Sequence, residues 1–108
     1  MAVSPAKVRE LVARLERTHE GAHHGHPDFR VDKRIFATLS EREDRAALRL
    51  GQIEARELAR SRPDAFRLVS DREPYSWVSV LLKGIDEDEL SDLLEEAWAL
   101  RGGRASAP

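Results

Sequence analysis

Apolar residues along the chain follow two rhythms, one helical and one of strands. Near the start, Val8, Leu11, Val12 and Leu15 fall at i, i+3, i+4 and i+7, the spacing of one helical face. Lys7, Arg9, Glu10, Arg14 and Arg17 take the other face. Ser4 can cap the free backbone N–H groups, and Pro5 is preorganised for the first helical position. The pattern predicts an amphipathic helix that opens at Pro5 and ends before Gly21.

From His23 to Leu50 the period changes to two. Phe29 and Val31 flank Arg30, and Ile35, Ala37 and Leu39 alternate with Phe36 and Thr38. Such alternation marks strands with one buried face. Asp32-Lys33 between them predicts a hairpin, and Glu41-Arg42-Glu43-Asp44 a turn into a third strand, Arg45 to Leu50. Gly51 to Arg62 reads as a short helix with Ile53, Leu58 and Ala59 facing inward and Pro63 stopping it. Ala65 to Val69 is expected as a short strand. After the Asp71-Arg72-Glu73-Pro74 turn, Tyr75 to Lys83 is expected as another. There Val78, Val80 and Leu82 face one way, and Tyr75, Trp77, Ser79 and Leu81 the other.

The last helix has the fullest set of signals. Asp86 is a good N-cap with Glu89 three residues on, and Glu87, Asp88 and Glu89 suit the positive end of the helix dipole. Leu90, Leu93, Leu94, Ala97 and Trp98 make one apolar stripe, and Gly102-Gly103 ends it. The sum is a two-layer α+β fold: a mostly antiparallel sheet with N-terminal, short middle and long C-terminal helices on one face. The other sheet face is expected to be partly open to solvent. One domain over residues 1–101 is expected, with residues 102–108 as a disordered tail.

Composition narrows the function classes. The 108 residues are 41% hydrophobic and 35% charged, and none is cysteine, which excludes disulfides, thiolate metal sites and a cysteine nucleophile. No apolar run approaches the ~20 residues that span a bilayer, and MAVSPAKVRE has no apolar signal region, so a cytoplasmic location and no membrane contact are expected. Eighteen basic and twenty acidic residues give a net charge of −2, without the overall basic excess usual in nucleic-acid-binding domains. No nucleophile elbow, phosphate-binding loop or His-Glu-x-x-His motif is present. The expectation is a protein that is not an enzyme and uses no cofactor.

The stretch His24-Gly25-His26-Pro27-Asp28-Phe29-Arg30-Val31, followed by Lys33-Arg34-Ile35-Phe36-Ala37-Thr38-Leu39, resembles the MmcQ/YjbR family, whose members carry a His-Gly-x-Pro-x-Phe-x-Val hairpin and then a Lys-x-Phe-Ala segment. Trp77-Val78-Ser79-Val80 and Glu95-Glu96-Ala97-Trp98 fit the same family, and the resemblance runs from Lys7 to Leu100. Here Arg34, with Lys33 beside it, stands where the family usually has lysine. The resemblance implies a fold similar to the frataxin (CyaY)-like and secretion-chaperone-like folds. It also implies weak DNA binding through a double-wing arrangement of hairpins.

Three groups of residues are candidates for contact with a partner. Arg30, Lys33 and Arg34, around the expected hairpin tip, would meet DNA phosphates if the hairpin is a wing; the plainer reading is a solvated turn that discourages strand pairing. Tyr75 and Trp77 would line the second sheet face, a candidate surface for stacked bases or for a protein partner, against the plainer role of covering the sheet. His24, His26 and Asp28 would share one face of an extended segment, as metal ligands do, but Pro27 disrupts that segment and a role in shaping the turn is favoured. No metal is therefore expected. The acidic residues from Asp86 to Glu96 are accounted for by capping and a solvated helix face rather than by iron. An exposed edge strand could pair two copies, so a monomer or weak homodimer is expected.

Overall fold

The computed structural model describes residues 3–104. The described chain runs α1 (Pro5–Ala13), β1 (Thr18–His23), β2 (His26–Val31), β3 (Arg34–Leu39), β4 (Arg45–Gly51), α2 (Gln52–Ser61), β5 (Phe66–Ser70), β6 (Tyr75–Leu81) and α3 (Glu87–Trp98), closed by a wide helical turn, Ala99–Gly103. The six strands form one antiparallel sheet in the order β1-β2-β3-β4-β6-β5. β1 to β4 make a meander. α2 then carries the chain past β6 to the far edge, and β6 returns between β5 and β4. The α+β class and the antiparallel sheet are as the hydrophobic pattern predicts.

The helices cover one face of the sheet. Val8, Leu11 and Val12 of α1, Ala55 of α2, and Leu90, Leu93, Leu94, Ala97 and Trp98 of α3 are buried against Phe29, Val31, Phe36, Leu39, Leu48, Leu50, Phe66, Val78 and Val80 of the strands. Each large side chain so buried contributes about 1.5–3 kcal/mol, which makes this layer the dominant stabilising feature. The expected caps form: Ser4 Oγ accepts from Lys7 N at 3.1 Å, and an Asp86 carboxylate oxygen accepts from Glu89 N at 2.8 Å.

Three expectations are corrected in detail. α1 ends before Gly21 as expected, at Ala13, and Thr18 turns its hydroxyl back to the carbonyls of Val12 and Leu15, at 3.0 Å each. These are helix-end acceptors that need a partner, and Arg17, at φ 63°, reverses the chain between them and β1. β1 itself was not expected; its side chains are half-buried or exposed throughout, so it carries no alternation of apolar residues. On β3 the pairing shifts register against β2, leaving Phe36 unpaired between Ile35 and Ala37. The bulge puts Phe36 and Ala37 both in the core and turns Ile35 outward, the local change of phase that bulges produce. Ile53, expected inward, is 86% exposed, and Ala55 takes the buried position of α2.

The strand expected to reach Lys83 ends at Leu81, and Leu82–Gly84 is a 3-10 turn. At the C-terminus the closing turn continues through Gly103, which is buried. Residues 105–108 of the expected tail lie outside the described residues.

Candidate anion-binding face of the sheet

The face turned away from the helices is built from alternate strand positions. Cross-strand pairing aligns Gly21, Asp28, Thr38, Ala47, Ser79 and Arg67 in one row over all six strands. Most of these side chains are small, so the row forms the floor of a trough. Two cavities open along it, of about 250 Å³ and 370 Å³, and both are lined by His23, Thr38, Ala47 and Val69. The smaller runs toward Arg45, Arg67 and Ser79, and the larger toward Ile35, Trp77 and Arg101.

Charge is divided sharply between the strands and α3. The strands carry Arg30, Arg34, Arg45, Arg49 and Arg67 against only two carboxylates, Glu20 and Asp28. Glu20 pairs with Arg9 of α1 on the helix side. α3, by contrast, carries Glu87, Asp88, Glu89, Asp92, Glu95 and Glu96 with no basic residue. Of the five arginines, Arg30, Arg45, Arg49 and Arg67 fall on the open face, so a net negative chain presents an arginine-rich sheet face.

These arginines differ in how far they are neutralised. Asp28 is fully buried, and its carboxylate accepts from Arg30 Nε at 2.9 Å and Arg30 Nη2 at 3.1 Å. The same carboxylate lies 2.8 Å from His23 Nδ1. The Arg30 hydrogen bonds, then that of His23, hold the Asp28 carboxyl below its ordinary value against the opposing effect of burial, and Asp28 raises Arg30 in turn. Arg45 has no carboxylate partner in its hydrogen bonding: Nε donates to Ser79 Oγ at 2.7 Å and Nη2 to the Ala65 carbonyl at 3.4 Å. Burial, then the neighbouring Arg67, pushes Arg45 down. Arg49 stacks on Tyr75, 3.8 Å from the ring centre, and is pushed down by burial and then by Arg101.

Of the residues singled out from sequence, Arg30 lies on the open face but is engaged by Asp28. Lys33 occupies the β2–β3 turn, where Asp32 and Lys33 both have positive φ, 49° and 78°, the backbone of a primed two-residue hairpin turn. Arg34 pairs with Val31, which is buried under the helices, while Arg30 pairs with the outward Ile35. Arg30 and Arg34 therefore leave the sheet on alternate faces, and the three cations do not make one patch. Tyr75 and Trp77 do share the open face: Tyr75 beneath Arg49, Trp77 in the larger cavity. His24 sits in the β1–β2 turn at φ 50°. Among the described residues no three His, Asp or Glu side chains are placed to hold a metal ion.

Sequence reasoning passed over Arg45, Arg49, Arg67, Arg101 and His23. A signal existed for four of them. On β4, Arg45 and Arg49 fall in the phase opposite Ala46, Leu48 and Leu50, and on β5 Arg67 lies between Phe66 and Leu68. For His23 the signal was His24-Gly25, a primed-turn pair that requires a strand before it.

No helix among the described residues is long and apolar enough to cross a membrane. No protein with a curated description matches the chain. In structure it is similar to the crystal structure of Deinococcus radiodurans protein DR2400, a DUF419 domain, with a TM-score of 0.81 at 20% identity over 94% of this chain and 80% of that one. That likeness is one of fold. The family model for YjbR matches residues 13–100, and with that match across both hairpins, the trough and the closing helix, the chain belongs to the YjbR family.

Proposed function

We propose that this chain is a non-catalytic DNA-contacting domain whose arginine-rich sheet face, together with the β2–β3 turn, meets the phosphate backbone. The observation that carries the reading is the division of charge. Arg45, Arg49 and Arg67 stand on strands with no free carboxylate, while the acidic residues of α3 lie on the other layer. Clustered arginines attract phosphate whatever the net charge of the chain, because fields from groups beyond about 8–10 Å are screened at physiological salt. Lys33 at the turn adds a second point of contact, in keeping with the hairpin wings ascribed to the family.

The test is fluorescence anisotropy of a labelled generic duplex at low and moderate salt. Binding should weaken as salt rises, with a logarithmic slope of about 0.9 for each phosphate neutralised. Arg67→Glu should weaken it at least tenfold, and Lys33→Glu less. Absence of binding at low salt would overturn the reading.

A second reading, a protein-interaction module, has one observation in its favour. Val69 is 62% exposed and lines the trough on the side opposite His23. Binding of that kind would survive salt and fail in Trp77→Ala.

A further inference from the structure

The larger cavity is lined at one end by Arg101 and Trp77, and Arg49 is the cross-strand partner of Trp77. Arg49 Nη1 is buried and has no hydrogen-bond partner among the described residues. Tyr75 covers one face of the guanidinium at 3.8 Å. The charged groups acting on Arg49 are Arg101 and Arg34, and no carboxylate is among them. A buried guanidinium nitrogen without a partner is costly, and a second cation acting on the same group adds to that cost.

Arg101 reaches this place from the closing turn after α3. Its Nε donates to the Ile35 carbonyl at 3.0 Å, a carbonyl at the edge of the β3 bulge. That bond fixes the guanidinium at the cavity wall beside Ile35 and Trp77. Arg49 is held by stacking on Tyr75 and Arg101 by a backbone carbonyl, so each guanidinium is a preorganised fork of donors. Such forks suit a planar or tetrahedral oxyanion far better than a point charge. The exposed side of Trp77 lies next to them, and an aromatic face beside a cationic site is the arrangement that holds a base next to its phosphate.

We infer that Arg49 and Arg101 form a subsite for the phosphate of a nucleotide unit, and that Trp77 carries the base. The inference rests on reading the open face as the anion-binding surface, and it places one phosphate rather than the whole strand. An anion seated there offsets two like charges. The larger cavity, about 370 Å³, is lined by both Arg101 and Trp77.

The test is a heteronuclear NMR titration of the whole chain with deoxyadenosine monophosphate, with inorganic phosphate, and with chloride at matched ionic strength. Deoxyadenosine monophosphate should shift the Arg49 and Arg101 Nε–H signals and the Trp77 indole N–H saturably. Inorganic phosphate should shift the arginines with at least fivefold weaker affinity and leave Trp77 in place. Arg101→Gln, on a surface turn, should weaken the nucleotide at least fivefold with the fold intact by circular dichroism, and Arg101→Lys should recover only part of it. Equal affinity for inorganic phosphate, with Trp77 unmoved, overturns the nucleotide assignment. Arginine signals that follow only the chloride control overturn the subsite. Duplex binding that persists while these signals stay still leaves the DNA-contacting reading standing without the subsite. Nucleotide binding without duplex binding does the reverse.

Discussion

The indole of Trp98 occupies the space in which any side chain on Gly103 would lie: a Cβ built on Gly103 would stand 2.2 Å from Trp98 Cδ2 and 2.3 Å from Cε2. α3 does not simply stop. It widens through Ala99–Gly103, passes Gly102 at φ 110°, and folds its last glycine over the ring of its own final residue. Trp98 Nε1 donates to the Glu16 carbonyl at 3.0 Å, and Arg17 Nη2 donates to the Gly102 carbonyl at 3.2 Å, so the loop after α1 holds the turn from the other side. This clamp sets where Arg101 leaves the backbone, and therefore ties the end of the chain to the open face of the sheet.

Gly103→Ala should accordingly destabilise the protein by about 1–3 kcal/mol, the usual cost of forcing extra volume into a packed site. Chemical denaturation would measure it. The emission of Trp98 should shift toward that of an exposed indole before the main transition, because the ring must move to admit the methyl group.

Asp28 makes a pH dependence whose sign follows from its partners. Its carboxyl is held below the ordinary value of 3.8, first by the hydrogen bonds of Arg30 and then by His23. The folded state therefore binds fewer protons than the unfolded state near that pH, and stability falls as pH drops. The contribution is fully present above the unfolded value and is lost as pH falls through the lower folded one. Asp28→Asn should cost about 1–3 kcal/mol at neutral pH, as the loss of a charged hydrogen-bond partner in a buried site does. The gap between variant and parent should shrink between pH 5 and pH 2.5 in denaturant titrations. A constant gap would mean that Asp28 acts by shape alone.

Gly21 is needed for the same cluster from the neighbouring strand. A Cβ there would be 2.9 Å from Asp28 Oδ1 and 3.4 Å from Arg30 Nε. The carboxylate is buried and held from two sides, so it has little freedom to give way. Gly21→Ala should displace Asp28, loosen Arg30, and cost about 1–2 kcal/mol. The Arg30 Nε–H signal should move toward its free position, a change that a general loss of strand propensity would not produce.

Much of the fold was legible because core and rhythm coincide. Leu90, Leu93, Leu94, Ala97 and Trp98 form a stripe that is buried as a stripe, and Ala46, Leu48 and Leu50 alternate into the core as written. The failures have local causes. Ile53 looks like a core residue by type, yet it sits in the first turn of α2, where Ala55 alone meets the sheet closely. β1 is an edge strand that buries no side chain, so hydrophobicity had nothing to mark. The bulge at Phe36 cannot be seen in a period-two pattern that both phases satisfy equally well. The site was less legible than the fold, since the charges that cluster in the sequence lie at the β2–β3 turn and those of the open face are dispersed over separate strands. Arg45, Arg49 and Arg67, which have no carboxylate partner among the described residues, lie on β4 and β5, and their significance depends on which carboxylates face them.

Lys33 allows the turn's charge to be separated from its shape. Asp32 and Lys33 both adopt positive φ, 49° and 78°, a conformation that costs a side-chain-bearing residue roughly 1–2 kcal/mol and glycine almost nothing. An Asp-Gly pair is among the preferred sequences for this turn. Lys33→Gly should therefore leave the β2–β3 hairpin intact and raise stability by roughly 0.5–1 kcal/mol, after allowance for the greater freedom of glycine in the unfolded chain. Thermal unfolding would show a midpoint a few degrees higher. Because the variant also removes one cation from the turn, its DNA affinity measures what that cation contributes without any loss of structure to confuse the result. A modest loss of affinity in a more stable protein assigns the turn a supporting part beside the sheet face. A loss as large as that of Arg67→Glu would instead make the turn the principal contact.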